Sequence, residues 1–276
     1  MIYCRELNQE FASQKELFTA LKANMTRIKQ AKKATIKHSD GLEIIAGKTT
    51  ASKAEAQTER LKYGDKVYPV INTTKVLDSH MDVHLDGIWN KSAQEQAGKV
   101  ALIINHDYKI GQVIAYPEDV VPMVKVMEWK DLGREWEGQT EALIFESTIK
   151  EDANDIAFKA YQNRRAVQHS VCMEYVKFEM AVNSDDEDWA QERANWEKYL
   201  PIIANPEKAI KFGYFWAVAE AKIYREGSMV LLGSNDVTPT LYDYNGAEKI
   251  TPKQEPTSVT PERMQQLNKL LNILKS

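Results

Sequence analysis

Short apolar runs rich in β-branched residues punctuate the middle of the chain. Val67-Tyr68-Pro69-Val70-Ile71 and Val100-Ala101-Leu102-Ile103-Ile104 predict strands, and residues 120–127, 142–145 and 167–180 predict three more. Between the last two, residues 152–163 have helical composition, with Ile156, Ala160 and Tyr161 on one side. A further strand pair is expected over residues 214–232. Strands with helices interposed, but without a regular βαβ repeat, predict an α+β domain around a mostly antiparallel sheet or barrel.

The ends read differently. Leu17, Leu21, Met25 and Ile28 fall on one helical stripe. Between Lys15 and His38 there are seven basic residues and one acidic one, so the polar side of that helix is cationic. It is either a solvated face or a docking face for an acidic protein or nucleic-acid surface. Residues 1–60 are thus expected to form a basic helical appendage, its linker beginning at Gly47-Lys48-Thr49-Thr50-Ala51-Ser52. Residues 61–240 form the main domain, with a helical insert near 185–210. The acidic residues Asp185-Asp186-Glu187-Asp188 suit the positive end of that helix, and Trp189, Arg193, Trp196 and Leu200 share its inner face. The chain turns Pro- and Thr-rich after Asn235 and stays so through Pro256, and residues 241–276 are expected to be a second linker and a C-terminal helix. That helix is capped by Thr260-Pro261 and striped by Met264, Leu267, Leu271 and Leu274, to dock on its own domain or on a partner.

Composition narrows the function classes. The chain has 276 residues, a net charge of −4 and 43% hydrophobic residues, enough for a sizeable core in one large domain. The near-neutral balance argues against a dedicated nucleic-acid binder. No apolar run approaches the roughly 18–20 residues of a membrane span, and Met1-Ile2-Tyr3-Cys4-Arg5-Glu6 lacks the form of a signal peptide. Two cysteines, Cys4 and Cys172, make neither a disulfide framework nor a cysteine-only zinc site, as expected in a reducing compartment. No Gly-x-Gly-x-x-Gly or Walker pattern supports nucleotide chemistry.

Two constellations could carry chemistry. In the first, His106 ends the strand Leu102-Ile103-Ile104-Asn105, and Ser170 lies inside the strand Val167-Gln168-His169-Ser170-Val171-Cys172. A serine hydroxyl becomes a nucleophile when a base takes its proton and a third group orients that base. Glu174 shares the Ser170 face but lies about 13 Å along the strand, too far for a carboxylate that should sit about 7–8 Å from the hydroxyl. Glu220 and Glu226, on a neighbouring strand, fit better. In the second, His80, Asp82 and His84 alternate so that an extended chain points all three to one face, where His106-Asp107 could complete a zinc-like set. The competing reading of that segment is a polar, hydrogen-bonded loop leading into Trp89.

At these residues a resemblance appears. Four blocks in order carry it. They are Asp78-Ser79-His80-Met81-Asp82-Val83-His84-Leu85-Asp86-Gly87-Ile88-Trp89-Asn90-Lys91-Ser92, the strand ending in His106 with Ile110-Gly111, Gln168-His169-Ser170-Val171-Cys172-Met173-Glu174-Tyr175, and Glu220-Ala221-Lys222-Ile223 through Glu226-Gly227-Ser228-Met229-Val230-Leu231-Leu232-Gly233-Ser234-Asn235. Together they resemble the prohead (capsid maturation) serine proteases of tailed bacteriophages, whose fold is similar to the herpesvirus assemblins. The similarity covers roughly residues 67–240.

The resemblance implies a small β-barrel wrapped by helices and a serine endopeptidase acting inside the immature capsid, in the host cytoplasm. It implies Ser170 as nucleophile, His106 as general base and an acidic third member, Glu226 ahead of Glu220. It implies scaffold and major capsid protein as substrates, self-cleavage and homodimerisation as further possibilities, and no cofactor, membrane or specific nucleic acid. The family commonly has glycine two residues after the serine, where this chain has Cys172, a rival nucleophile. Arg225 looks like an extra residue before Glu226. The alternatives are a metal-dependent hydrolase built on His80, Asp82, His84 and His106, and a non-catalytic capsid-assembly or scaffold protein on the same fold.

Overall fold

A computed structural model describes residues 1–36, 60–242 and 265–269. The chain opens with a hairpin, β1 (Ile2–Cys4) and β2 (Gln9–Phe11), followed by the helix α1 (Gln14–Ala34). Ser13 caps α1 by accepting from the Glu16 amide, while the Glu16 carboxylate accepts from the Ala12 amide, a reciprocal arrangement close to a capping box. Then come β3 (Lys66–Thr73), β4 (Asp82–His84), α2 (Asn90–Glu95), β5 (Ala101–Ile104), β6 (Val113–Ala115), β7 (Val120–Glu128) and β8 (Gln139–Thr148). They are followed by α3 (Asp155–Gln162), β9 (Gln168–Val182), α4 (Ala190–Tyr199), α5 (Glu207–Phe212), β10 (Tyr214–Val230) and β11 (Thr240–Leu241).

The protein is α+β. Among the described residues the strands group into the terminal hairpin, a five-stranded sheet ordered β4-β10-β5-β6 with β9 on the other edge of β10, and a four-stranded sheet ordered β11-β3-β8-β7. The larger sheet is mixed. β4 and β5 both run parallel to β10, one beside its first half and the other beside its second, while β9 is antiparallel along its whole length. The helix α2 lies between β4 and β5 in sequence, which lets the chain cross and re-enter in the same direction.

The expected strand pair over 214–232 is one strand, β10, broken by a bulge. Ile223 pairs with Met173 and Gly227 with Val171, so Tyr224, Arg225 and Glu226 all stand opposite Cys172 alone. Arg225 takes the left-handed conformation there, with φ +65°. The surplus residue noticed before Glu226 belongs to this bulge, which bends the strand instead of ending it.

The two large sheets share one apolar core. Ile71 and Phe145 from the smaller sheet meet Leu102, Val171, Met173 and Ile223 from the larger one. Gly227 faces this core, and a Cβ there would stand 2.9 Å from the Phe145 ring and 3.0 Å from Ile71 Cδ1. A second core joins the terminal hairpin and α1 to α4, α5 and the first half of β10, and Leu267 from the C-terminal helical residues 265–269 enters it.

That second core corrects the view of residues 1–36 as an appendage. Leu17, Leu21 and Ile28 are buried as the stripe required, and Met25 packs beside them. However, Lys32 on the same helix is buried too and pairs with Asp82. Part of the cationic face is therefore used internally, with Lys22 also pairing with Asp188. The insert packs down as expected, through Trp189, Trp196 and Leu200. The linker expected after Asn235 begins later. Asn235 and Thr238 are buried, and β11 adds to β3 with the Pro239 carbonyl accepting from the Val70 amide. Proline lacks a donor, so an edge position that uses only its carbonyl suits it. The first linker, His38 and the remainder of the C-terminal stripe lie outside the described residues.

Candidate active site

β5 ends in a tight turn. The Asp107 amide donates to the Ile104 carbonyl at 3.0 Å, and both central residues, Asn105 and His106, have φ near +50°. Left-handed backbone is uncommon outside glycine and asparagine and costs about 1–2 kcal/mol per residue. Two bonds to β10 hold it: the Asn105 amide donates to the Met229 carbonyl at 3.0 Å, and the His106 amide donates to Ser228 Oγ at 3.0 Å. The turn thereby leans over β10 instead of running away from it.

The bulge brings Glu226 to meet it. His106 Nδ1 lies 2.6 Å from Glu226 Oε1, with the imidazole 7% and the carboxylate 1% exposed. A carboxylate only accepts, so Nδ1 is the donor in this contact. Ser228, two residues on, is buried and donates to the other carboxylate oxygen, Oε2, at 2.7 Å. On the opposite face Gly227 keeps the second sheet close. The alternation of Glu226, Gly227 and Ser228 therefore sends two polar groups to the site and a bare backbone to the core.

Ser170 reaches this face through strand register. It pairs directly with Ser228 across β9 and β10, and side chains directly opposite in an antiparallel pair project to the same side. Ser170 is buried and borders a small cleft lined also by Asn72, His80, Met173 and Ser234. Ser170 on β9, Glu226 on β10 and His106 in the turn that follows β5 are therefore carried by one sheet, with Ser170, Ser228 and Glu226 on the same side of it. This arrangement has the elements of acyl transfer: a hydroxyl, an imidazole and an orienting carboxylate.

Glu220 does not join them. It precedes the bulge by several residues and pairs with Lys177 at 2.7 Å and more loosely with Lys91, which hold its carboxyl below its ordinary range. Glu174, set aside on distance, stands opposite Lys222. Cys172 shares the Ser170 face, and its thiol accepts from the Tyr108 hydroxyl at 3.6 Å. Burial pushes that thiol up to about 12, so it stays a neutral thiol and makes a poor nucleophile at neutral pH. Cys172 stands alone opposite the three bulge residues of β10.

The second constellation does not assemble as its alternation suggested. His84 is buried, and its Nδ1 meets Asn72 Oδ1 at 3.0 Å, an oxygen that also accepts from the Trp89 indole. Burial lowers its pKa to about 4, leaving it neutral. His106 is engaged with Glu226 in the other site. Among the described residues, only Asp78, His80 and Asp82 approach one another closely enough to share an ion. There Asp82 accepts from Lys32 at 2.5 Å and from the Tyr175 hydroxyl at 2.7 Å. The Lys32 ammonium thus already supplies a cation. Burial alone would lower its pKa, but Asp82 and Glu6 outweigh that and raise it. The reading of this stretch as a hydrogen-bonded segment leading into Trp89 describes His84 well, with Asp82–His84 forming β4 between turns on either side.

Sequence reasoning passed over Ser228 and Tyr108. Ser228 was legible in principle, because alternation puts it on the Glu226 face. Tyr108 carried no signal, since its contact depends on how the turn after β5 folds back. Comparison of the chain with family models, with curated proteins and with solved structures finds no match.

Proposed function

We propose that this protein is a serine endopeptidase, with Ser170 as nucleophile, His106 as general base and Glu226 as the group that orients His106. The observation that carries the reading is the 2.6 Å contact between His106 Nδ1 and Glu226 beside the strand that holds Ser170. Ser170 Oγ attacks the scissile carbonyl carbon while its proton passes to His106 Nε2. The tetrahedral intermediate collapses, the C–N bond breaks and His106 returns the proton to the leaving amine. Water then hydrolyses the acyl ester, with His106 again accepting a proton. Glu226 stabilises the imidazolium formed in each half.

The resemblance to prohead proteases extends this reading to a biological setting. The substrates are then scaffold and major capsid protein, and cleavage takes place inside the assembling prohead in the host cytoplasm. The same extension treats the two large sheets, packed through Ile71, Phe145 and Gly227, as the walls of a small assemblin-like barrel.

The test is intact-mass spectrometry of wild-type and Ser170→Ala protein, each co-expressed with its capsid and scaffold partners. Trimmed partners or self-products in wild type alone support the reading. Identical masses in the two samples overturn it in favour of a role in assembly. Trimming in both that stops with a chelator overturns it in favour of a metal-dependent hydrolase.

A further inference from the structure

We infer that Ser228 is a positioning residue of this site, a fourth member that locks the His106–Glu226 pair through both of its halves. The inference rests on the serine peptidase reading for its catalytic consequence, but its geometry stands independently. The Ser228 hydroxyl makes two contacts at once. It donates to Glu226 Oε2 at 2.7 Å and accepts from the His106 backbone amide at 3.0 Å. Glu226 gives its other oxygen to the His106 ring. The four groups close a loop in which one hydroxyl ties the carboxylate of the acidic residue to the main chain of the base.

That loop answers two physical problems. A carboxylate on a bulge has more freedom than one on a regular strand, and a single hydrogen bond from a histidine leaves it able to rotate. The second bond, to Oε2, removes that rotation. The turn carrying His106 is left-handed at two successive residues, and the amide of the second is fixed by the same hydroxyl. Ser228 is fully buried, so water cannot take its place without a cavity. It also lies directly opposite Ser170 in the β9–β10 register, which indexes the base and acid to the nucleophile. Ser228 touches no reacting atom in this scheme and acts only through Glu226 and His106.

Two measurements test it on the full-length protein. The first is labelling by a fluorophosphonate, which reacts with an activated serine whatever the natural substrate. Ser228→Ala is expected to lower the inactivation rate constant about ten- to hundredfold with the probe's binding constant little changed, and Ser228→Thr, which keeps the hydroxyl, to restore most of the rate. The second is the downfield NMR signal of the His106 Nδ1 proton, which needs no activity. It should be present in wild type and in Ser170→Ala, lost or broadened in Ser228→Ala, and recovered in Ser228→Thr. Wild-type labelling and an unchanged Nδ1 signal in Ser228→Ala would overturn the inference. If wild type and Ser170→Ala label alike, the peptidase reading fails instead, and the NMR comparison still decides the role of Ser228. If the alanine variant does not fold, Ser228→Cys fills the same space with a weak hydrogen-bonding group and should show the same losses; wild-type behaviour there would be equally fatal.

Discussion

The His106 ring lies 2.6 Å from the Glu226 carboxylate, although one follows a four-residue strand and the other sits in the bulge that interrupts β10. Each arrives through an irregularity: a left-handed turn on one side, three residues opposite one on the other. Regular strands would have kept the two apart.

The two candidate glutamates separate cleanly by this geometry. Glu226→Gln should slow fluorophosphonate labelling of Ser170 by about 10²–10⁴-fold, because the amide no longer stabilises the imidazolium or enforces its tautomer. Glu220→Gln, which removes only a contact to surface lysines, should label at the wild-type rate. Equal losses in the two variants would contradict the assignment of the acidic member.

Cysteine chemistry offers a second check. Burial pushes Cys4 up to about 11 and Cys172 up to about 12. Native protein at pH 7.5 should therefore take up no iodoacetamide within an hour, and urea-unfolded protein should take up two equivalents, read by intact mass. Cys172→Ala should keep fluorophosphonate labelling. Rapid native modification at Cys172 would reopen it as a nucleophile.

The buried ion pair between Lys32 and Asp82 ties the N-terminal helix to β4. Lys32→Met strands Asp82 in the interior next to Asp78 and should cost about 3–5 kcal/mol of unfolding free energy in urea titrations. Lys32→Met combined with Asp82→Asn should recover part of that loss. A loss below about 1 kcal/mol for the single variant would place the pair among weak, solvent-screened bridges.

Two buried histidines set an acid-side dependence. Burial lowers both His84 and His169 to about 4, against about 6.5 in an unfolded chain. Between these values the unfolded state binds more protons, so each histidine makes stability fall as pH drops from 6.5 toward 4, by up to about 1.4 kcal/mol per pH unit. Asp78, raised to about 8 by burial and by Asp82, works the other way and is common to wild type and variant. Comparison with His169→Gln isolates one histidine: over that window wild type should lose stability more steeply than the variant. Parallel curves would show that His169 does not titrate in this way.

Gly227 tests the packing behind the site. Its Cβ position is blocked by the Phe145 ring and Ile71, so Gly227→Ala should destabilise the protein by about 1–3 kcal/mol, the usual cost of overpacking. It should also slow labelling of Ser170, since Glu226 and Ser228 flank it.

Much of this architecture was visible in one dimension. The runs around residues 67–71, 100–104, 120–127 and 142–145 became β3, β5, β7 and β8. The helix over 152–163 appears as α3, but its buried side is Ala157, Phe158 and Tyr161, and Ile156, expected beside Tyr161, is 76% exposed. Ser170, His106 and Glu226 are nominated by the resemblance carried by the four blocks around them, because residue types alone do not single out a serine and a histidine so far apart in the chain. The choice between Glu226 and Glu220 was not legible: it depends on a bulge, and a bulge is a matter of pairing between strands. The apparent alternation of His80, Asp82 and His84 misled for a related reason. It holds only for Asp82 and His84 within β4: His80 lies in the preceding turn, where Met81 has φ +62°, and the neighbours Asn72, Lys32 and Tyr175 engage the two strand side chains.

The sequence by itself determined which segments bury apolar surface and which residue types were present to do chemistry, since both depend on local composition and spacing. Tertiary structure alone decided which of those residues meet. It set Ser170 opposite Ser228, folded the Asn105-His106 turn over β10, displaced Glu226 out of regular register, and drew a basic helix into the core through one lysine. Those outcomes come from strand register and from the requirement that buried polar groups find partners. Neither is a property of any one segment of the chain.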